Sequence, residues 1–141
     1  MKTYLLLIFI FFFAACAVIS CAHSTHQVLA TGESQAKLRA IQTRAFDTAD
    51  ETKMLRTIIA TLQDLGFIID RADANLGTIS ATKLNMYNLR ITVTVRPRGE
   101  SQLLVRANAQ SHIYPLEDPV AYQNFFNSLS KAMFLTAHEV D

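Results

Sequence analysis

The stretch Leu89-Arg90-Ile91-Thr92-Val93-Thr94-Val95-Arg96 alternates apolar and polar side chains for eight residues without a break. A period of two marks a strand with one face buried and the other wet. The strand is expected over Tyr87 to Arg96. Leu89, Ile91, Val93 and Val95 take the inner face, and Arg90, Thr92, Thr94 and Arg96 the outer. Pro97-Arg98-Gly99-Glu100 is a turn. Gln102 to Gln110 then returns, with Leu103, Val105, Ala107 and Ala109 inward and Arg106 and Asn108 outward. The two runs form an amphipathic antiparallel hairpin, and such sheets tolerate one solvated face.

Upstream, Thr78 to Leu84 sets Ile79 and Ala81 against Ser80 and Thr82, a further strand, with a bend at Asn85-Met86. Phe67-Ile68-Ile69 is a short strand, and Asp70 to Gly77 a turn rich in Asx residues. Before these, Thr48-Ala49-Asp50-Glu51 matches a capping box. Met54, Leu55, Ile58, Ile59, Leu62 and Leu65 then recur on one stripe of a helix of about five turns, which Gly66 stops. A first strand is expected within Lys37 to Asp47, centred on residues 41–46. At the other end, Asp118-Pro119 is a helix start. Tyr122, Phe125, Phe126, Leu129, Ala132 and Met133 form a second stripe, extended by Phe134 and Ala137.

The expected fold class is therefore α+β: an antiparallel β-sheet with two helices packed on one face, in the order β-α-β-β-β-β-α. This order resembles helix-grip domains of the TATA-binding-protein-like kind found in periplasmic lipoproteins. The resemblance is one of topology, and a shared topology does not imply a shared function.

The first twenty residues differ in kind. Only Lys2, Thr3 and Ser20 are not apolar, and Tyr4 to Ile19 is a run of 16 residues without a charge. A membrane-spanning helix needs about 20 such residues, and this run ends in small ones, as a cleaved signal does. Val18-Ile19-Ser20-Cys21 has the form of a lipobox. In this the chain resembles bacterial lipoproteins. The resemblance implies cleavage before Cys21, diacylglyceryl and N-acyl modification of that cysteine, and a membrane partner held through covalent lipid. With Ala22 and not Asp after the cysteine, it points to the periplasmic leaflet of the outer membrane; the alternative is the inner membrane. An uncleaved anchor and a conventional signal peptide are the rival readings. The competing cysteine, Cys16, follows Phe13-Ala14-Ala15, where Phe is a poor first residue. The domain organisation expected is thus a signal peptide over 1–20, a lipidated Cys21 with a flexible polar tether to residue 36, and one domain over 37–141.

Chemistry is sparse. Apart from Lys2 the chain carries 12 Lys+Arg and 12 Asp+Glu, so no nucleic-acid partner is expected from bulk charge. With Cys16 in the leader and Cys21 acylated, the domain would contain no thiol. His23 and His26 have metal-like spacing without a third ligand. Asp73, Asn75 and Gly77 outline part of a calcium loop, yet Leu84 stands where its distal Glu belongs. His112 and His138 flank no nucleophile, and no phosphate loop or serine elbow occurs. No catalytic residue, metal or cofactor is expected. Arg90, Arg96 and Arg106 share the wet sheet face and are the candidate partner-binding face. The expectation is a non-catalytic binding or accessory module of an envelope complex for assembly, secretion or transport. An enzyme acting on envelope polymer or lipid, or a purely structural tether, is the alternative.

Overall fold

A computed structural model describes residues 27–84, 88–134 and 137–139. The chain divides into two units, Met1–Ala36 and Lys37–Asp141, and the second carries the sheet. Its elements are the end of α1 (Gln27–Gln42), β1 (Thr43–Phe46), α2 (Glu51–Asp64), β2 (Ile68–Asp73), β3 (Thr78–Leu84), β4 (Asn88–Arg98), β5 (Gln102–Ser111), β6 (Tyr114–Pro115), α3 (Pro119–Met133) and β7 (Ala137–Glu139). The sheet runs in the order β2-β3-β4-β5-β1-β7, every pair antiparallel, with β6 added beside β5.

The α+β architecture expected from the alternating strands and the two apolar stripes is the one observed. Ile79, Ala81, Ile91, Val93, Val95, Leu103, Val105, Ala107 and Ala109 line the inner sheet face and are all buried. Against them pack Met54, Leu55, Ile58 and Leu62 of α2 and Tyr122, Phe125, Phe126, Leu129 and Met133 of α3. The register Val93↔Ala107 and Val95↔Val105 sets the two alternations in phase. A slip of one residue would turn every apolar side chain into water.

Several boundaries differ from the sequence reading. Residues 37–42, expected as the start of a strand, are the last turns of α1, and the tether expected over 21–36 is helical from Gln27 onward. Cys21, Cys16, His23 and His26 lie outside the described residues. The segment Gln35-Ala36-Lys37-Leu38-Arg39-Ala40 consists largely of strong helix formers. Leu38 and Ile41, three apart, pack against the core, which anchors a helix that polarity alone does not forbid.

Helix α2 has 14 residues, four turns and not five. Its N-cap is Asp50, whose carboxylate accepts from the Lys53 amide at 2.8 Å, while Thr48 Oγ1 accepts from the Asp50 amide at 3.1 Å. The shorter acid at Asp50 thus does the capping expected of Thr48. Strand β2 continues through Asp73, into the turn expected over Asp70 to Gly77, with a bulge at Asp70 in its pairing with β3. Strand β4 runs on through Pro97, which the reading had placed in a turn; Pro97 faces Leu103 across the hairpin. The bend expected at Asn85-Met86 lies outside the described residues.

Helix α3 starts where expected, with Asp118 Oδ1 accepting from the Val120 amide at 3.0 Å. It ends at Met133: Phe134 takes a left-handed φ of 58°, is 92% exposed, and so does not extend the buried stripe. Ala132 is likewise exposed, and Ala137 belongs to β7.

One edge of β5 is shared. Strand β1 covers Leu103 to Arg106 and β6 covers Gln110 and Ser111; β4 takes the other edge throughout. Between them, Ala109 is closed by the Tyr122 side chain and the Leu116 backbone. The Ala109 amide donates to the Tyr122 hydroxyl at 3.2 Å, which also accepts from Gln42 Nε2 at 3.2 Å and itself donates to the Leu116 carbonyl at 2.8 Å. The Leu116 amide in turn donates to the Ala109 carbonyl at 2.8 Å. Gln42 and Tyr122 are each 2% exposed, so every one of these bonds replaces one that water would have made.

Candidate functional site

The open face of the sheet carries the three arginines singled out from the sequence. Register places Arg106 opposite Thr94, and Arg96 opposite Leu104, so Arg96 and Arg106 are diagonal neighbours across the β4–β5 hairpin. Their guanidinium groups part company. Arg96 Nη1 donates to the Leu76 carbonyl at 2.6 Å, toward the β2–β3 turn. Arg106 Nη2 reaches Gln42 Oε1 at 3.4 Å, on the far side of β5. Arg90 stands six residues from Arg96, about 20 Å along an extended strand. It is exposed, and its guanidinium forms no ion pair or hydrogen bond with another described residue. The three share a face but not a cluster.

The other sequence-flagged groups are occupied locally. Asp73 Oδ1 accepts from the Leu76 amide at 3.0 Å and Oδ2 pairs with Arg71, the Asx-turn geometry expected there. His138 Nε2 lies 2.8 Å from Asp47 Oδ2, and Gln102 Nε2 donates to Asp47 Oδ1 at 2.7 Å. The hydrogen bond from Gln102, then that from His138, holds the Asp47 carboxyl below the ordinary aspartate range. His112, at φ 56°, donates its amide N–H to the Asn88 carbonyl at 3.4 Å, and its ring lies 3.5 Å from the Ser111 hydroxyl. Among the described residues no nucleophile stands beside either histidine within hydrogen-bond reach except that serine hydroxyl, 3.5 Å from the His112 ring.

A more organised site lies at the end of the sheet where β3 meets β4. A cavity of about 180 Å³ opens there between the inner sheet face, the C-terminal end of α2 and the first two turns of α3. Leu89, Ile91 and Ala109 form its floor, and Leu65, Ala121 and Phe125 its walls. The lining residues are apolar save for three: Tyr122, Asn124 and Lys83. Lys83 Nζ donates to the Leu65 carbonyl at 2.7 Å and sits 5.6 Å from the centre of the Phe67 ring. It thereby caps the last turn of α2, where a cation is favoured. Among the described residues two of its three N–H donors have no hydrogen-bond partner, and no carboxylate pairs with it.

Around this end gather most of the large apolar side chains that the described fold leaves in water. Ile68 pairs with Thr82 beside Leu84, the last residue of β3. Ile113 and Tyr114 follow Ser111, which faces Leu89 at the start of β4. Val120 is in the first turn of α3. These five are between 58% and 82% exposed, and only Leu76 and Phe134 show comparable exposure elsewhere. Ile68 and Leu84 lie on the wet sheet face, opposite the cavity; apolar side chains scattered singly are ordinary, whereas several at one end of a sheet mark a contact surface.

The sequence reading passed over this site, although one signal was present. In β3, Lys83 continues the inward row of Ile79 and Ala81 while Leu84 falls on the wet side. A charge on the inner face followed by an exposed Leu is a break in the alternation, and breaks of this kind tend to occur where a fold does more than pack. No protein-family model matches the chain, and no curated protein is recognisably similar to it in sequence.

Proposed function

We propose that this chain is a lipid-anchored envelope protein of the outer membrane, whose α+β domain is a non-catalytic binding module within an envelope complex. The observation that carries the binding role is the apolar end of the sheet, where Ile68 and Leu84 on the wet face, with Ile113, Tyr114 and Val120, stand exposed at the end at which the cavity opens. A solvated face of that composition is costly unless something covers it. The anchoring role rests on the Val18-Ile19-Ser20-Cys21 sequence, with Cys21 as the acylated residue. Stable anchoring takes more than one acyl chain, which the lipoprotein modification of Cys21 would provide.

The test is site-specific photo-crosslinking in intact cells. A crosslinker at Ile113 or Leu84 should trap one envelope protein repeatedly, and the same group at Phe134, more exposed than either but at the C-terminal end of α3, should not. Equal trapping from all three positions, or none from any, overturns the assignment of the contact surface. The wet sheet face is a second contact candidate, and Arg90 is its least engaged cation. Arg90→Ser should leave the Ile113 crosslink intact if the apolar end is the principal surface, and abolish it if the sheet face is.

A further inference from the structure

We propose that the cavity is a receptor for the carboxyl-terminal residue of a partner protein, with an apolar side chain inside, its α-carboxylate on Lys83 and its backbone amide on Asn124. The inference deepens the reading of the domain as a binding module and rests on it.

Size comes first. The cavity measures about 180 Å³, and an engineered apolar cavity of about 150 Å³ takes a single benzene. One aromatic ring or branched aliphatic group fits, and a long acyl chain does not. Charge is the second argument. A half-buried ammonium loses part of its hydration and is normally paired. Lys83 has one donor on the Leu65 carbonyl and a face on Phe67, and no described carboxylate opposite. The remaining donors suit an anion arriving from outside, held next to whatever fills the cavity. Capture of a terminal carboxylate beside a side-chain pocket is a recurring mode of peptide recognition. Polarity supplies the third. Asn124, an exposed residue of α3, borders the same cavity, and its carboxamide has both a donor and an acceptor, the complement of a peptide bond. A free short-chain acid would use Lys83 and the cavity and leave Asn124 idle.

The test uses the full chain in phospholipid nanodiscs and three probes followed by NMR: N-acetyl-phenylalanine, its C-terminal amide, and hexanoate. N-acetyl-phenylalanine should shift the resonances of Ile91, Ala109 and Ala121. The amide should bind about tenfold more weakly, the loss of one hydrogen bond to a charged group, and hexanoate should also bind more weakly than the acetylated residue. Lys83→Met should erase the preference for acid over amide, and Ala121→Phe, which fills the cavity from α3, should abolish binding of all three. If Lys83 does no more than cap α2, Lys83→Met lowers the unfolding midpoint while acid and amide bind alike in the unmutated protein, and the proposal fails. It fails too if N-acetyl-phenylalanine does not bind, or if hexanoate binds as tightly, which would assign the cavity to a free acid. The crosslinking above can succeed while these fail, so the two readings are separable.

Discussion

The Tyr122 hydroxyl joins three parts of the molecule within one side chain's reach: the β5 edge through Ala109, the end of α1 through Gln42, and the chain before α3 through Leu116. Tyr122→Phe keeps the ring in the core and strands all three polar partners in a buried place. The expected loss is roughly 1–3 kcal/mol in urea unfolding, with the circular dichroism of the folded state unchanged. Asp47 gives a test by pH. Its carboxyl, held low first by Gln102 and then by His138, stays ionised in the fold at pH values where the unfolded chain has begun to protonate. Its contribution is therefore complete above the ordinary aspartate range and fades as pH falls through Asp47's own lower value. Gln102→Ala should move that titration upward in a carboxyl-carbon NMR experiment; an unmoved curve would mean that Gln102 does not hold the charge.

At the scale of elements, turns and caps decide boundaries that periodicity leaves open. Gly77 closes the β2–β3 turn at φ +58°, and a Cβ there would lie 2.7 Å from the Val95 carbonyl oxygen and 2.8 Å from Glu51 Oε1. The glutamate can swing away, but the strand carbonyl, on a residue whose own amide bonds back to Gly77, cannot. Gly77→Ala should cost about 2 kcal/mol from the left-handed backbone alone, read as a fall in the urea midpoint. Asp118→Ala should cost about 1 kcal/mol by removing the cap of α3.

The strands and the two packed helices were legible because each buries one face against the same core, so 79, 81, 91, 93 and 95 had to be apolar together. α1 was not legible. It has no continuous apolar stripe, and the described residues that tie it to the core are few, Leu38 and Ile41 by packing and Gln42 through Tyr122, contacts that a polar, small-residue composition hides. The cavity was missed for a related reason: it is made by residues distant in sequence, Lys83 on a strand and Asn124 on a helix, whose proximity no period encodes. The three arginines were correctly put on one face, but where a long side chain's head goes depends on the acceptors around it, here Leu76 and Gln42.

For the whole molecule, the anchor and the domain are separable claims. Cys21→Ser should release the chain from the outer-membrane fraction of cells, unprocessed, without lowering the thermal midpoint of the domain; retention in that fraction would refute the acyl anchor. The described domain has one long free edge, β2, and it is broken by a bulge at Asp70 with Arg71 beside it. A kinked, charged edge discourages chain-to-chain pairing. Size-exclusion chromatography of the protein from Lys37 onward should accordingly give a monomer.

The phenol that substitutes for a missing stretch of strand also forms part of the cavity wall. Helix α3 cannot swing outward without stripping the Ala109 amide of its acceptor, so breathing of this wall is opposed by the sheet itself. Any guest should accordingly meet a socket already shaped, losing little freedom of the host on entry. Discrimination between guests would then come from steric fit, and the rate of exchange from departure and not from opening.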